Sequence, residues 1–293
     1  MKFFITILLF SLSLFANAAF ISADDLHKKL SEKNLVIIDT TDFETYSKEH
    51  IPNARQVEIS AFRSLIDNKY ELMKSSKEIE NVVQNLGINS DSYVVLYGHN
   101  KPKELLKASY IALALMVNGF TNISILDGGF SEWKSKFATQ SEMISKKMPK
   151  ITKGNFEAKY NPEILVDMEY VKNHIDKVDM IEAREKKYFD GTAQSPGVKR
   201  LGHITNAQSS NWQEKFQNNE KVISDTELKK IFLDEHKLNA NKEVITYCTG
   251  GLEASMNWYI LKRHLHFKDA KMYDASMKEW GNTDSTPMQT KQK

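Results

Sequence analysis

The sequence predicts an α/β protein made by tandem duplication of one unit, each unit a parallel sheet covered by helices on both faces. Three observations carry this. Short β-branched and aromatic runs alternate with helical stretches, the pattern of parallel strands joined by crossover helices. The order of elements in the first half returns in the second. Between the halves, residues 136–153 are polar, lysine-rich and aperiodic, which reads as a linker.

In the first half, Ser22 is a ready N-cap for a helix to Leu30, with Asp24 and Asp25 in its first turn. Leu35-Val36-Ile37-Ile38-Asp39 reads as a buried strand ending in a carboxylate. A helical stretch leads to Glu49-His50-Ile51-Pro52-Asn53-Ala54, and Gln56-Val57-Glu58-Ile59 reads as a short strand. Residues 70–86 read as mostly helical, Tyr93-Val94-Val95-Leu96-Tyr97 as a strand, residues 105–117 as a helix and Ile123-Ser124-Ile125-Leu126 as a strand. Asp127-Gly128-Gly129-Phe130-Ser131-Glu132-Trp133 closes the unit.

The second half repeats these landmarks. Residues 166–175 read as helical, and Met180-Ile181-Glu182-Ala183-Arg184 matches the strand ending in Asp39. Gly202-His203-Ile204-Thr205-Asn206-Ala207 matches the His50 segment, Val244 to Tyr247 the strand of Val94 to Tyr97, and Asp274 to Trp280 the closing segment. Asp39 and His50 stand 11 residues apart, Glu182 and His203 21; Tyr97 and Trp133 stand 36 apart, Tyr247 and Trp280 33. Four landmarks in one order with small length changes indicate duplication. The expected boundaries are 20–135 for the first unit, 136–160 for the linker and 161–285 for the second.

Residues 1–18 carry one early lysine, an apolar run over 3–15 and then Ala16-Asn17-Ala18, the pattern of a secretory leader cut after Ala18. A periplasmic or secreted protein is expected. The apolar run is too short for a membrane span and nothing later resembles one. About 275 residues remain, enough for two domains with full cores. With 40 basic against 38 acidic residues the charge is balanced, which argues against nucleic acid or an anionic membrane as the main partner.

The chemistry converges on the only cysteine. Val244-Ile245-Thr246-Tyr247 leads into Cys248-Thr249-Gly250-Gly251-Leu252-Glu253-Ala254-Ser255, a strand, a glycine-rich turn and the start of a helix. Such a loop presents several backbone N–H groups to one point and is expected to stabilise a thiolate, hence a depressed thiol pKa. A free thiol in an oxidising compartment cannot pair within the chain, which favours a chemical role over a buried packing one. In the first half Gly98 stands in the place of Cys248, followed by His99-Asn100-Lys101-Pro102-Lys103, so the first unit is expected to be inactive. His50 and His203, and Trp133 and Trp280, occur in both halves and read as structural for that reason. No His/Cys/Glu cluster has metal-ligand spacing, so no metal or other cofactor is implied.

With both copies laid out, the chain resembles the two-domain rhodanese family of thiosulfate and 3-mercaptopyruvate sulfurtransferases. The resemblance rests on the strand-end acids Asp39 and Glu182, the His-Ile-Pro-Asn-Ala and His-Ile-Thr-Asn-Ala segments, the Ser-Glu-Trp and Lys-Glu-Trp-Gly segments, and the second-half cysteine after its strand. It implies a tandem of rhodanese-like domains with the catalytic site in the second. There the cysteine takes a sulfane sulfur from a small donor, becomes a persulfide, and passes the sulfur to a thiol or cyanide-like acceptor. A monomer without nucleic-acid or membrane partners is expected.

The chain departs from the family pattern at three places. The loop lacks the basic residues that follow the cysteine in thiosulfate enzymes, and Glu253 falls where the family has threonine, serine or arginine. Glu182-Ala183-Arg184-Glu185-Lys186-Lys187-Tyr188-Phe189-Asp190-Gly191 resembles a donor-binding segment, but Tyr188 replaces its second arginine. Arg184, Tyr188 and Arg200 are the candidate substrate contacts, with Lys186, Lys187 and Lys199 as further sources of charge. For Arg184 the competing expectation is a structural ion pair with an acid such as Glu279. A Cys-dependent phosphatase would need arginine six residues after Cys248, where Ala254 stands, so that alternative falls. The remaining alternative is a catalytically weakened sulfur- or anion-binding module.

Overall fold

A computed structural model describes residues 17–99, 102–142, 151–218 and 220–290. Residues 1–16 of the expected leader, 143–150 of the expected linker, and Asn100 and Lys101 beside Gly98 lie outside the described residues.

Two five-stranded parallel sheets share one topology. In space the first runs Phe20–Ile21, Ile123–Leu126, Tyr93–Tyr97, Leu35–Asp39, Arg55–Gln56. The second runs Leu165–Val166, Asp269–Tyr273, Glu243–Tyr247, Asp179–Glu182, Gln208–Ser209, the same order of crossovers. Registers match too: Asp39 lies opposite Tyr97, and Glu182 opposite Tyr247. Each of those tyrosines accepts a backbone N–H with its hydroxyl, Tyr97 from Ile51 and Tyr247 from Ile204, both at 3.1 Å. The histidine segments are thereby tied to the central strands in both units.

The long Pro102–Val117 helix is buried on every side from Ala108 onward, which fits a helix covered all round. It packs against the Leu252–Tyr259 helix of the second unit, where Ser109 Oγ and Ser255 Oγ share a buried hydrogen bond of 2.8 Å. One core therefore runs through both units, from Val36 and Leu96 across Leu113 and Met256 to Val244 and Met272. At about 1.5–3 kcal/mol for each large apolar side chain removed from water, this shared layer holds the two sheets in a fixed relation.

The elements follow the sequence closely where periodicity was strong. Ser22 caps the Ala23–Lys29 helix by accepting the Asp25 N–H at 3.1 Å. Two expectations need correction. Residues 70–86 are not one helix: Tyr70–Met73 is a strand paired with Arg63–Ile66, and the helix is Ser76–Asn85. The expected strand at 56–59 is shorter and shifted: Arg55–Gln56 pairs with Ile38 and Asp39, and a 3-10 turn takes Ile59–Ala61. The described part of the linker is fastened to the first unit, with Gly154, Phe156, Lys159 and Asn161 donating to Gln84, Ile88, Asn118 and Val117 carbonyls. Past the expected boundary at 285, Met288–Gln289 pairs antiparallel with His203–Ile204.

Candidate active site

Cys248 ends the Glu243–Tyr247 strand and is fully buried, while Thr249, Gly250, Leu252 and Glu253 around it are partly exposed. The loop is held at every peptide. The Cys248 N–H donates to Ser276 Oγ at 3.0 Å, the Cys248 carbonyl accepts from Met277 at 3.1 Å, and the Thr249 carbonyl accepts from Lys278 at 2.8 Å. Thr249 Oγ1 also meets Ser195 Oγ at 3.1 Å. The Gly251 N–H points at Cys248 Sγ, 3.1 Å away. Gly251 has φ +94, and a Cβ there would lie 2.5 Å from Asp274 Oδ1, so only glycine permits this turn. Ala254 is buried at the start of the helix and its carbonyl accepts from Thr246 Oγ1 at 3.2 Å.

The expectation of a depressed thiol pKa is not met. Burial, and then the negative Glu253 carboxylate, push the Cys248 thiol up to about 12, against the opposing pull of the Ala254 and Gly250 amides. Glu253 lies close enough for its charge to act on the sulfur, and the Cys248 side chain and the Thr249 amide act in turn on its carboxyl. Its own carboxyl is raised by burial, with Arg184 and Lys103 as the nearest opposing charges. Burial therefore raises both the thiol and the carboxyl beside it.

Of the candidate substrate contacts, Arg184 is buried and pairs through Nε with Glu182, while its Nη2 donates to the Gly202 carbonyl at 2.8 Å. The acid beside it is thus Glu182, not Glu279, whose oxygens instead accept the hydroxyls of Tyr70 and Tyr273. Tyr188 is half-buried under the Lys187 ammonium, 4.9 Å from its ring centre. Arg200 does not stand as a free anion-binding arm: its guanidinium donates to the carbonyls of Trp280, Gly281, Thr283 and Thr286 and to Thr286 Oγ1. Lys186 and Lys187 are paired with Asp190 and Glu185.

In the first unit Gly98 stands in the place of Cys248 and keeps one of its backbone contacts. The Gly98 carbonyl accepts from Phe130 as that of Cys248 does from Met277. A Cβ on Gly98 would meet Glu104 Cβ at 2.6 Å, so the place is closed to any side chain. His50 and His203 are alike: the Nδ1 of each is bound to a backbone carbonyl at 2.8 Å, and each ring stacks on an aromatic neighbour, Tyr46 and Phe189. Trp133 and Trp280 are fully buried and each donates its indole N–H to a carbonyl at 3.0 Å.

Four residues at the loop escaped the reading of the sequence: Arg63, Tyr110, Asp274 and Ser276. Ser276 occupies the place of Gly129, both with φ +54, and tolerates that left-handed backbone while its hydroxyl holds the Cys248 N–H. The repeat contained this signal, since Asp127-Gly128-Gly129 aligns with Asp274-Ala275-Ser276. Nothing in the sequence points to Arg63 or Tyr110, because they reach the loop from the other unit.

The family description "Rhodanese-like domain" matches residues 22–136 and again 167–283. The chain is 25% identical over 281 residues to the sulfur carrier protein TtuD of Thermus thermophilus, spanning 92% of this chain and 95% of that protein. It is 25% identical over 300 residues to thiosulfate/3-mercaptopyruvate sulfurtransferase 1, mitochondrial, of Arabidopsis thaliana, spanning 92% and 78%. Among solved structures, SseA from Escherichia coli, reported with the fold of 3-mercaptopyruvate sulfotransferases, superposes with a TM-score of 0.75 at 23% identity, over 89% of this chain and 99% of its own.

Proposed function

The chain belongs to the rhodanese-like domain family, and from that premise we propose that it is a sulfurtransferase working through a persulfide on Cys248. The observation that carries the reading is the contrast between two matched cradles. One encloses Gly98 and has no room for a side chain; the other encloses a sulfur with the Gly251 N–H aimed at it.

In the reaction, Glu253 takes the Cys248 proton as the sulfur attacks the sulfane sulfur of the donor. A Cys–S–S bond forms, the donor's bond to that sulfur breaks, and its electron pair leaves with the donor remnant, which can take up the proton. The persulfide anion that results accepts hydrogen bonds from the loop amides. An acceptor nucleophile, a thiol or cyanide-like anion, then bonds to the outer sulfur and the Cys248 thiolate departs. The raised carboxyl of Glu253 suits it to pass that proton from the thiol to the departing remnant.

Glu253 also shapes donor choice. Arg184 is tied to Glu182, Arg200 is engaged by carbonyls, and Tyr188 brings no charge. A dianion such as thiosulfate would meet a carboxylate with no free arginine from this set opposite it. At about 4 Å and an effective dielectric near 20, two like charges repel by roughly 4 kcal/mol. A donor with a single remote charge, of the mercaptopyruvate type, is therefore the preferred class.

Export is part of the proposal. Its support is the leader pattern over residues 1–18 and the position of the first strand, Phe20–Ile21, immediately after it.

Steady-state kinetics with cyanide as acceptor test the assignment. The expected result is kcat/KM for mercaptopyruvate at least about tenfold above that for thiosulfate, a difference of ~1.4 kcal/mol. Efficient use of thiosulfate would contradict the role given to Glu253. Absence of turnover with either donor would favour the weakened binding module.

A further inference from the structure

The two units exchange hairpins. The hairpin of Arg63–Ile66 and Tyr70–Met73 leaves the first unit and docks on the closing turn of the second, where the Met73 N–H donates to Asp274 Oδ2 at 2.8 Å. The hairpin of Phe216–Gln217 and Lys221–Val222 does the same in reverse, the Val222 N–H donating to Asp127 Oδ1 at 2.8 Å. Cross-strand pairing fixes the correspondence: Arg63 lies opposite Met73 as Phe216 lies opposite Val222. Arg63 and Phe216 thus hold equivalent places in their hairpins.

The difference between them is a cation. Phe216 packs edge-on against Phe20 and tilted against Trp212, in apolar surroundings. Arg63, 5% exposed, lays its guanidinium 4.6 Å above the Tyr110 ring and sends Nη2 to the Gly250 carbonyl at 2.5 Å. The same Nη2 reaches the Glu71 carbonyl at 3.2 Å, Nη1 meets Glu71 Oε2 at 3.3 Å, and the buried Nε has no hydrogen-bond partner. Tyr110 in turn donates its hydroxyl to Asp274 Oδ2 at 2.8 Å.

The Gly250 carbonyl and the Gly251 N–H belong to one trans peptide, so they point in opposite directions. The carbonyl points to Arg63 and the N–H to Cys248 Sγ. We propose that Arg63, supplied by the unit without a nucleophile, is a positioning residue that orients and polarises the Gly250–Gly251 peptide so that its N–H stabilises the sulfur anion. A charge-assisted bond at one end of a peptide strengthens the bond made by the other end. The inference rests on the sulfurtransferase reading for its purpose, but it concerns the thiol itself.

Other charges face this sulfur: Glu253 from its own helix, Arg184 paired with Glu182 below the strand ends, and Arg63 backed by Glu71 and Asp274. Lys103 stands near Glu253, and the Lys278 side-chain methylenes cover Gly250. Of these, only Arg63 bonds the peptide that donates to the sulfur.

The test is alkylation of Cys248 by iodoacetamide in the full-length protein, without any sulfur donor, across the alkaline range for wild type, Arg63→Gln and Arg63→Lys. Below the thiol midpoint the rate follows the thiolate fraction. Arg63→Gln is expected to slow alkylation about tenfold at each such pH. Arg63→Lys should lose less, because it keeps the charge but not the fork. A rate unchanged or raised in both variants would overturn the proposal, since a brace that merely loosened would expose the thiol. Should Arg63→Gln fail to fold, Arg63→Lys decides alone: a slower reaction supports the role, and a wild-type or faster rate removes it. Because no sulfur is transferred in this assay, a failed sulfurtransferase assignment would leave its outcome intact.

Discussion

At the scale of single residues, the proposed chemistry turns on Cys248 and the Glu253 carboxyl whose charge helps to raise its thiol. Replacing Glu253 with glutamine keeps the shape and removes the charge and the base. Burial and that charge together hold the thiol high, so the variant should ionise more readily. The sign follows: alkylation of wild type rises as pH climbs toward the raised midpoint, and Glu253→Gln moves that rise to lower pH. About one unit is expected, a tenfold faster alkylation at fixed pH, while turnover with mercaptopyruvate falls because the proton acceptor is gone. An unchanged alkylation profile would show that the carboxylate does not act on the sulfur. The residues of the loop from Cys248 to Ala254 were legible in the sequence because chemistry and backbone need coincide there. The state of the thiol was not, since a strand–turn–helix pattern announces amides and says nothing of how deeply the sulfur is buried.

The elements that matter beyond the loop are the two exchanged hairpins. Tyr70-Glu71-Leu72-Met73 contains good helix formers, and its strand form is imposed by pairing with Arg63–Ile66 and by the Asp274 carboxylate that receives the Met73 N–H. No local pattern encodes that, whereas Leu35–Asp39 and Tyr93–Tyr97 announce themselves by continuous burial. Asp274 is fully enclosed and its carboxyl is raised by burial, with the Arg63 charge, the Tyr110 hydroxyl and the Met73 amide pulling the other way. Tyr110→Phe removes one of the donors to Oδ2 and keeps the ring beneath Arg63. The expected cost is about 1–3 kcal/mol, read as a fall of several degrees in Tm. A Tm equal to wild type would mean that the interdomain network is not what seats the hairpin.

For the whole molecule, the proposed function has duplication separating support from chemistry. Both units keep the strand-end acid, the tethered histidine segment and the buried closing tryptophan, which is why the tandem fold was readable from four ordered landmarks. What the sequence did not disclose is how closely the units are joined. A single core passes through the helices Pro102–Val117 and Leu252–Tyr259, and residues 151–161 run hydrogen-bonded along the first unit. The unit with Gly98 has no cysteine, yet its Arg63 donates to the Gly250 carbonyl in the loop of the unit that has one.

The claim that organises all of this is that Cys248 carries the transferred sulfur. Intact-mass spectrometry of the full-length protein, incubated with a mercaptopyruvate-type donor and no acceptor, measures it directly. The account predicts a gain of one sulfur atom in wild type, lost on adding a thiol or cyanide acceptor and absent from Cys248→Ser. A sulfur adduct retained by Cys248→Ser, or turnover surviving in that variant, would contradict it.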